Sequence, residues 1–132
     1  MTAYSRSSNL AAYQTVAAHG GVAASDPHRL ILMLMDGALE RIAAARGAME
    51  NGTPEARTRL LHRAVTIIDE LRGSLNLELG GEIAGNLADL YEYSGKQLMR
   101  ANLENRVDLL EEVGHLLREI RGAWIQIPPR QP

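Results

Sequence analysis

The sequence predicts an all-α protein, an antiparallel up-down-up-down four-helix bundle with a short N-terminal helical segment. Four long stretches repeat apolar residues at three- and four-residue steps, the period of one helix face. Glycine, proline or asparagine clusters separate these stretches, and loops this short make consecutive helices antiparallel neighbours. Nowhere does apolar/polar alternation persist with β-branched enrichment, so strands find no support.

The first helix is expected from Pro27 to Glu50, because Asp26 is a good N-cap and proline suits the first helical position; Asn51-Gly52 ends it. Thr53-Pro54-Glu55 opens the second with a capping hydroxyl, a proline and an acid facing the helix dipole. That helix is expected to reach about Leu79, where Gly80-Gly81 would close it. The third then begins at Glu82 and ends near Ala101-Asn102. Asn105, with Asp108 three residues on, resembles an N-cap and its reciprocal partner, opening a fourth helix to about Trp124–Ile127. Pro128-Pro129 stops it. The expected organisation is therefore a mobile segment with a short amphipathic helix over 1–24, the bundle over 25–127 and a flexible tail over 128–132.

The apolar stripes exceed what a bundle needs. Ile31, Leu34, Ala38, Ile42, Ala45 and Met49 form one face of the first helix, yet Leu30, Met33, Met35 and Leu39 fall outside that line. The second helix carries two stripes, Leu61, Val65, Ile68, Leu75 and Leu79 beside Leu60, Ala64, Ile67 and Leu71. About three positions in seven suffice for a bundle helix, so part of this surface needs another cover. The N-terminal segment is a candidate, with Leu10, Tyr13, Val16 and Ala17 at helical spacing before a Gly20-Gly21 hinge.

Composition excludes much chemistry. The 132 residues make one domain and contain no cysteine, which removes thiolate catalysis, disulfides and cysteine-ligated metal sites. A net charge of −2 gives no general attraction to phosphate backbones. Arg57, Arg59, Arg63 and Arg72 interleave with Glu55, Asp69, Glu70 and Glu78, as on a mixed solvated face, so nucleic acid is not an expected partner. No apolar run approaches the ~20 residues of a membrane span, and no signal-like h-region opens the chain, so a cytoplasmic protein is expected. Glu112-Val-Gly-His115 has the Glu-x-x-His spacing of di-iron bundles, but those need two such motifs and two further inward carboxylates. No serine stands in a nucleophile elbow, and the Gly-Gly pairs lack the lysine of a phosphate loop. Neither an enzyme nor a cofactor is expected. The positive signal is the surplus apolar surface together with Met33, Met35 and Met99 and Tyr13, Tyr91 and Tyr93, which suits a groove for peptides.

The order and spacing of several stretches resemble the flagellin-specific export chaperone FliS family. They are Ala12-Tyr13-Gln14 leading to Val16, Asp26-Pro27-His28-Arg29-Leu30-Ile31, and Met33-Leu34-Met35-Asp36-Gly37-Ala38-Leu39. Ala64-x-x-Ile67-Ile68-x-Glu70-Leu71, Gly80-Gly81-Glu82-Ile83-Ala84-x-Asn86-Leu87 and Leu90-Tyr91-x-Tyr93 follow, and then Ala101-Asn102, Glu112-Val113 and Ala123-Trp124. Two positions depart from the family pattern: Met35, where an aromatic residue is more usual, and Ser94, where a large apolar side chain is common. The resemblance implies a cytoplasmic chaperone that binds the disordered C-terminal region of flagellin, prevents premature polymerisation and delivers the subunit to the flagellar type III export gate. It also implies that the N-terminal segment occupies part of the flagellin groove until displaced. The expected contacts are Tyr13 and Val16 as a lid and Ile67, Ile68, Leu71, Leu75, Leu87, Leu90 and Tyr91 in the grooves. Asp36 is read as capping, pairing or contacting the partner. The free protein is expected to be a monomer or weak homodimer. The alternative is a structural module whose surplus stripes are covered by self-association.

Overall fold

A computed structural model describes residues 26–127, which form four helices and, among those residues, no strand. They are α1 (Pro27–Glu50), α2 (Pro54–Gly73), α3 (Leu77–Glu104) and α4 (Val107–Gln126). The expected N-terminal helix, with Tyr13 and Val16, and the tail from 128 lie outside the described residues.

α1 has the bounds its sequence predicts. Asp26 Oδ1 accepts a hydrogen bond from the Arg29 amide at 3.1 Å and Pro27 occupies the first turn, so the orphan donors there are capped or absent. At its other end the Asn51 amide donates to the Gly47 carbonyl and the Gly52 amide to that of Met49, and Gly52 turns the chain at φ 70°, which glycine adopts without steric cost. The buried stripe is Met35, Ala38, Ile42, Ala45 and Met49. Met35, which the pattern puts outside the core line, is only 1% exposed, while Ile31 and Leu34 lie half-buried at the margin.

Three expected boundaries are corrected. Thr53 does precede α2, but its hydroxyl makes no capping bond. α2 also stops at Gly73 rather than near Leu79, although its apolar period continues. There the Ser74 amide bonds Glu70 and Leu71, and Ser74 Oγ donates to the Leu71 carbonyl at 2.6 Å, taking an acceptor a longer helix would need. Gly80-Gly81 instead lies inside α3, where Gly81 (φ 53°, ψ −129°) kinks the helix after its first turn. A β-carbon on Gly80 would stand 2.6 Å from that of Ala84, so the kink needs glycine at 80 for space and at 81 for its backbone. Third, Asn105 terminates α3 instead of capping α4. It sits at φ 55°, the left-handed conformation that asparagine tolerates better than most residues, and Arg106 takes the N-cap position with extended backbone.

The helices pack as a closed ring, each against its two neighbours in the order α1, α2, α3, α4 and back to α1. His28 near the start of α1 meets Trp124 near the end of α4, and Arg57 near the start of α2 meets Asn102 near the end of α3, so neighbours are antiparallel. Leu61, Ile68, Leu71, Leu98, Leu110, Val113 and Leu117 fill the interior, and the fully buried alanines 38, 45, 64 and 101 let helices approach closely.

Ser94 is the buried polar exception. Its side chain is fully buried and its Oγ has no hydrogen-bond partner among the described residues. An unsatisfied buried hydroxyl is unfavourable, so Ser94→Ala is expected to stabilise the bundle by about 1 kcal/mol in urea unfolding. A loss of stability would show that the hydroxyl is satisfied in solution.

Burial pushes the Tyr91 phenol up to about 12 from an ordinary 10.0. Because the folded value exceeds the unfolded one, the stability Tyr91 gives is intact below pH 10.0 and is lost as pH rises toward about 12. Urea midpoints should fall over that range in the native chain and fall less in Tyr91→Phe. Equal slopes would contradict the assignment.

Candidate partner-binding surface

The two ends of the ring differ in chemistry. At one end the C-terminus of α1, the start of α2, the end of α3 and the start of α4 are closed by polar contacts. Arg57 donates from Nε to Asn102 Oδ1 and from Nη1 to Asn105 Oδ1, both at 2.9 Å, and Thr58 Oγ1 donates to Asn102 Oδ1 at 3.1 Å. Hydrogen bonds from Arg100 and Arg106 hold the Glu104 carboxyl below its ordinary range, and Arg106 does the same for Asp108. Arg57, which its sequence neighbours mark as part of a solvated face, thus ties α2 to the end of α3.

The opposite end is apolar and open. Ile31, Leu75, Leu87, Ile120 and Trp124 pack half-buried on the core margin, while Ile83 is 73% exposed and Ile125 and Ile127 are each 49% exposed. Asp26 and Ile127, the first and last described residues, are both here, so the segments 1–25 and 128–132 join the bundle at its apolar end. Apolar side chains left this exposed at one pole lower the free energy when something covers them, by roughly 1.5–3 kcal/mol for each isoleucine fully buried. Ile83 is a large apolar side chain at this pole that is not among the contacts expected from the sequence. Its exposure follows from the Gly81 kink and its place at the end of the ring.

One side of this open end is clasped. The His28 ring Nε2 lies 2.8 Å from the Trp124 carbonyl, which can only accept, so that nitrogen carries the proton. Trp124 Nε1 donates to the His28 carbonyl at 2.9 Å, and the rings stack with centroids 4.9 Å apart. Two turns into α1, Asp36 pairs with Arg121, which assigns it a structural role between α1 and α4.

The sequence-predicted contacts separate into groups. Ile68, Leu71 and Tyr91 are 0%, 1% and 3% exposed and belong to the core cluster. Ile67 is half-buried and points at α1, its Cδ1 3.5 Å from where a β-carbon on Gly37 would stand. Leu90 is half-buried on the strip of α3 that continues through Tyr93 and Gln97, both bonded to Glu112 of α4. Leu75 and Leu87 lie at the open end. No single groove holds them all; the accessible members occupy two seams and one pole. Glu112 and His115 are on the outer surface, each with its own partner, Glu112 with Tyr93 and Gln97 and His115 with Glu119 at 3.1 Å. They do not converge, and no group of three potential metal ligands forms among the described residues. Nor, among those residues, is any helix long and apolar enough to cross a membrane.

Comparison with known proteins gives the family. Residues 9–131 match the family model described as Flagellar protein FliS. The chain is 47% identical over 112 residues to the Flagellar secretion chaperone FliSB of Pseudomonas aeruginosa, covering 85% of this chain and 89% of that one. It is 43% identical over 124 residues to the Flagellar secretion chaperone FliS of Salmonella typhimurium, covering 93% and 92%. With the protein of that name from Vibrio cholerae the identity is 40% over 121 residues, covering 92% and 89%.

Proposed function

This chain belongs to the FliS family of flagellar secretion chaperones, a family of chaperones and not of enzymes, and we propose that its client is flagellin. It binds the disordered C-terminal region of flagellin in the cytoplasm, keeps the subunit from polymerising and delivers it to the flagellar export gate. The observation that supports this reading is the open apolar pole, with half-buried footholds running from it along two seams. A disordered client loses roughly 1–2 kcal/mol of backbone entropy per residue ordered, so a short contact cannot hold it. Spaced contacts at Ile67, Leu75, Leu87 and Leu90, together with Ile83 and Ile127, offer a long path instead. Ile68, Leu71 and Tyr91 support that path from beneath.

In this account residues 1–24 form the lid, Tyr13 and Val16 covering apolar surface until the client displaces them. The lid joins the bundle at the apolar pole, which keeps it within reach. Deleting Met1 to Val16 is expected to leave the helical circular-dichroism signal and melting temperature in place and to tighten flagellin binding, because a competitor has been removed. Unfolding on deletion would make the segment part of the core.

The direct functional test is seeded polymerisation of the cognate flagellin followed by light scattering. Equimolar chaperone is expected to arrest filament growth; growth at the unassisted rate would refute the assignment.

A further inference from the structure

The four arginines of α2 look alike in sequence, but the fold divides them. Arg57 is tied to Asn102 and Asn105, and Arg72 pairs with Glu92 at 3.5 Å, so both reach toward α3. Arg59 and Arg63, exposed and one turn apart, have no acceptor among the described residues, and the ring of His62 between them has no partner there either. The segments outside the described residues supply none: 1–25 and 128–132 contain no aspartate or glutamate. Glu55 stands one turn before the two arginines, and Asp69 and Glu70 follow them, so along α2 the charges run acid, base, base, acid. With 3.6 residues per turn these positions fall within about a third of the helix circumference, on one side. The surface among them is shallow and open, lined by α2 alone from Pro54 to Thr66.

We propose that this face docks an acidic segment of a second protein, one that is not the client. Two carboxylates about 6 Å apart, four residues on a helix or two on an extended chain, match the rise from Arg59 to Arg63 and accept from their guanidinium forks. Bases on either side of those acids meet Glu55 at one end and Asp69 and Glu70 at the other. A nucleic-acid strand, charged at every step, would run onto the same flanking acids, and α2 has no Trp, Tyr or Phe on which a base could stack. A second copy of this face would set arginine against arginine. The client is served elsewhere: among the described residues no exposed large apolar side chain lies on α2, so this face gives a disordered segment nothing to bury. The first half of α2 belongs to the polar end of the ring, which leaves the apolar pole to the client while the second protein is held. Exposed ion pairs are individually weak and screened by salt, so the face sets where and how fast the partner docks more than how tightly.

Chemical-shift titration of the isotope-labelled full chain without flagellin tests this independently of the chaperone reading. The probes are two synthetic peptides, one helical and one extended, each presenting Lys, Glu, Glu and Lys in step with Glu55, Arg59, Arg63 and Asp69. Isomers with Lys and Glu exchanged keep the composition and net charge and serve as controls. One probe is expected to bind with a dissociation constant at or below ~1 mM, shifting amides between Glu55 and Glu70 and loosening about fivefold or more from ~20 to ~150 mM salt. Binding should fall tenfold or more in the double variant Arg59→Glu with Arg63→Glu. Both positions are exposed, and circular dichroism checks that the bundle is retained. With the flagellin C-terminal segment bound to saturation, the constant should not change. No shifts up to ~1 mM, equal binding of the exchanged isomers, or full binding by the double variant overturns the proposal. So does a single-stranded oligonucleotide that takes the same amides more tightly than the peptides, or a peptide expelled by flagellin, which would assign the face to the client.

Discussion

Leu71→Ala is expected to destabilise the protein by about 2–5 kcal/mol, the range for truncating a fully buried leucine whose site cannot collapse. Leu71 is 1% exposed and lies in the one core cluster that spans all four helices. Since small domains are stable by only about 5–15 kcal/mol, this single change removes a large share and lowers the urea midpoint accordingly. Any loss of flagellin binding in this variant would therefore follow from the loss of the folded state. A stability within about 0.5 kcal/mol of wild type would instead mean that Leu71 faces solvent or client, contrary to its burial.

Ile83→Asp combined with Ile127→Asp should do the reverse, weakening flagellin binding by at least a hundredfold with little change in stability. Both side chains are exposed in the free protein, at 73% and 49%, so the fold loses almost nothing with them. Burying each against the client is worth roughly 1.5–3 kcal/mol, and every 1.4 kcal/mol is tenfold in affinity. A carboxylate at the same place must in addition be desolvated or exclude the client. Calorimetric titration reads the affinity and thermal unfolding reads the stability. Unchanged affinity would remove the apolar pole from the binding surface.

The contrast between these variants shows what the sequence could and could not convey. The four helices are legible because capping residues and three-four periodicity act locally, and α1 follows them from Asp26 to Asn51. α2 departs because Ser74 satisfies the Leu71 carbonyl through its own hydroxyl, a local bond that outweighs the continuing apolar period. Asn105 departs because asparagine serves both as N-cap and in the left-handed conformation, and its partner in the second role, Arg57, is 48 residues away in the chain. The binding surface is less legible for a geometric reason. Ile67 and Ile68 are adjacent and alike, yet one reaches the seam toward α1 and the other is fully buried. A stripe's width marks surplus apolar area without saying which neighbour covers which edge. Likewise the polar closure by Arg57, Asn102 and Asn105 and the apolar pole opposite arise only when four chain-distant helix ends are brought together.

Calorimetric titration of the full chain with the C-terminal segment of its cognate flagellin tests the chaperone account most directly. One-to-one binding with a dissociation constant at or below ~10 μM, about 7 kcal/mol, and a clearly negative heat-capacity change from buried apolar surface is the predicted result. No complex at that concentration, or a complex whose heat-capacity change is near zero, would contradict it.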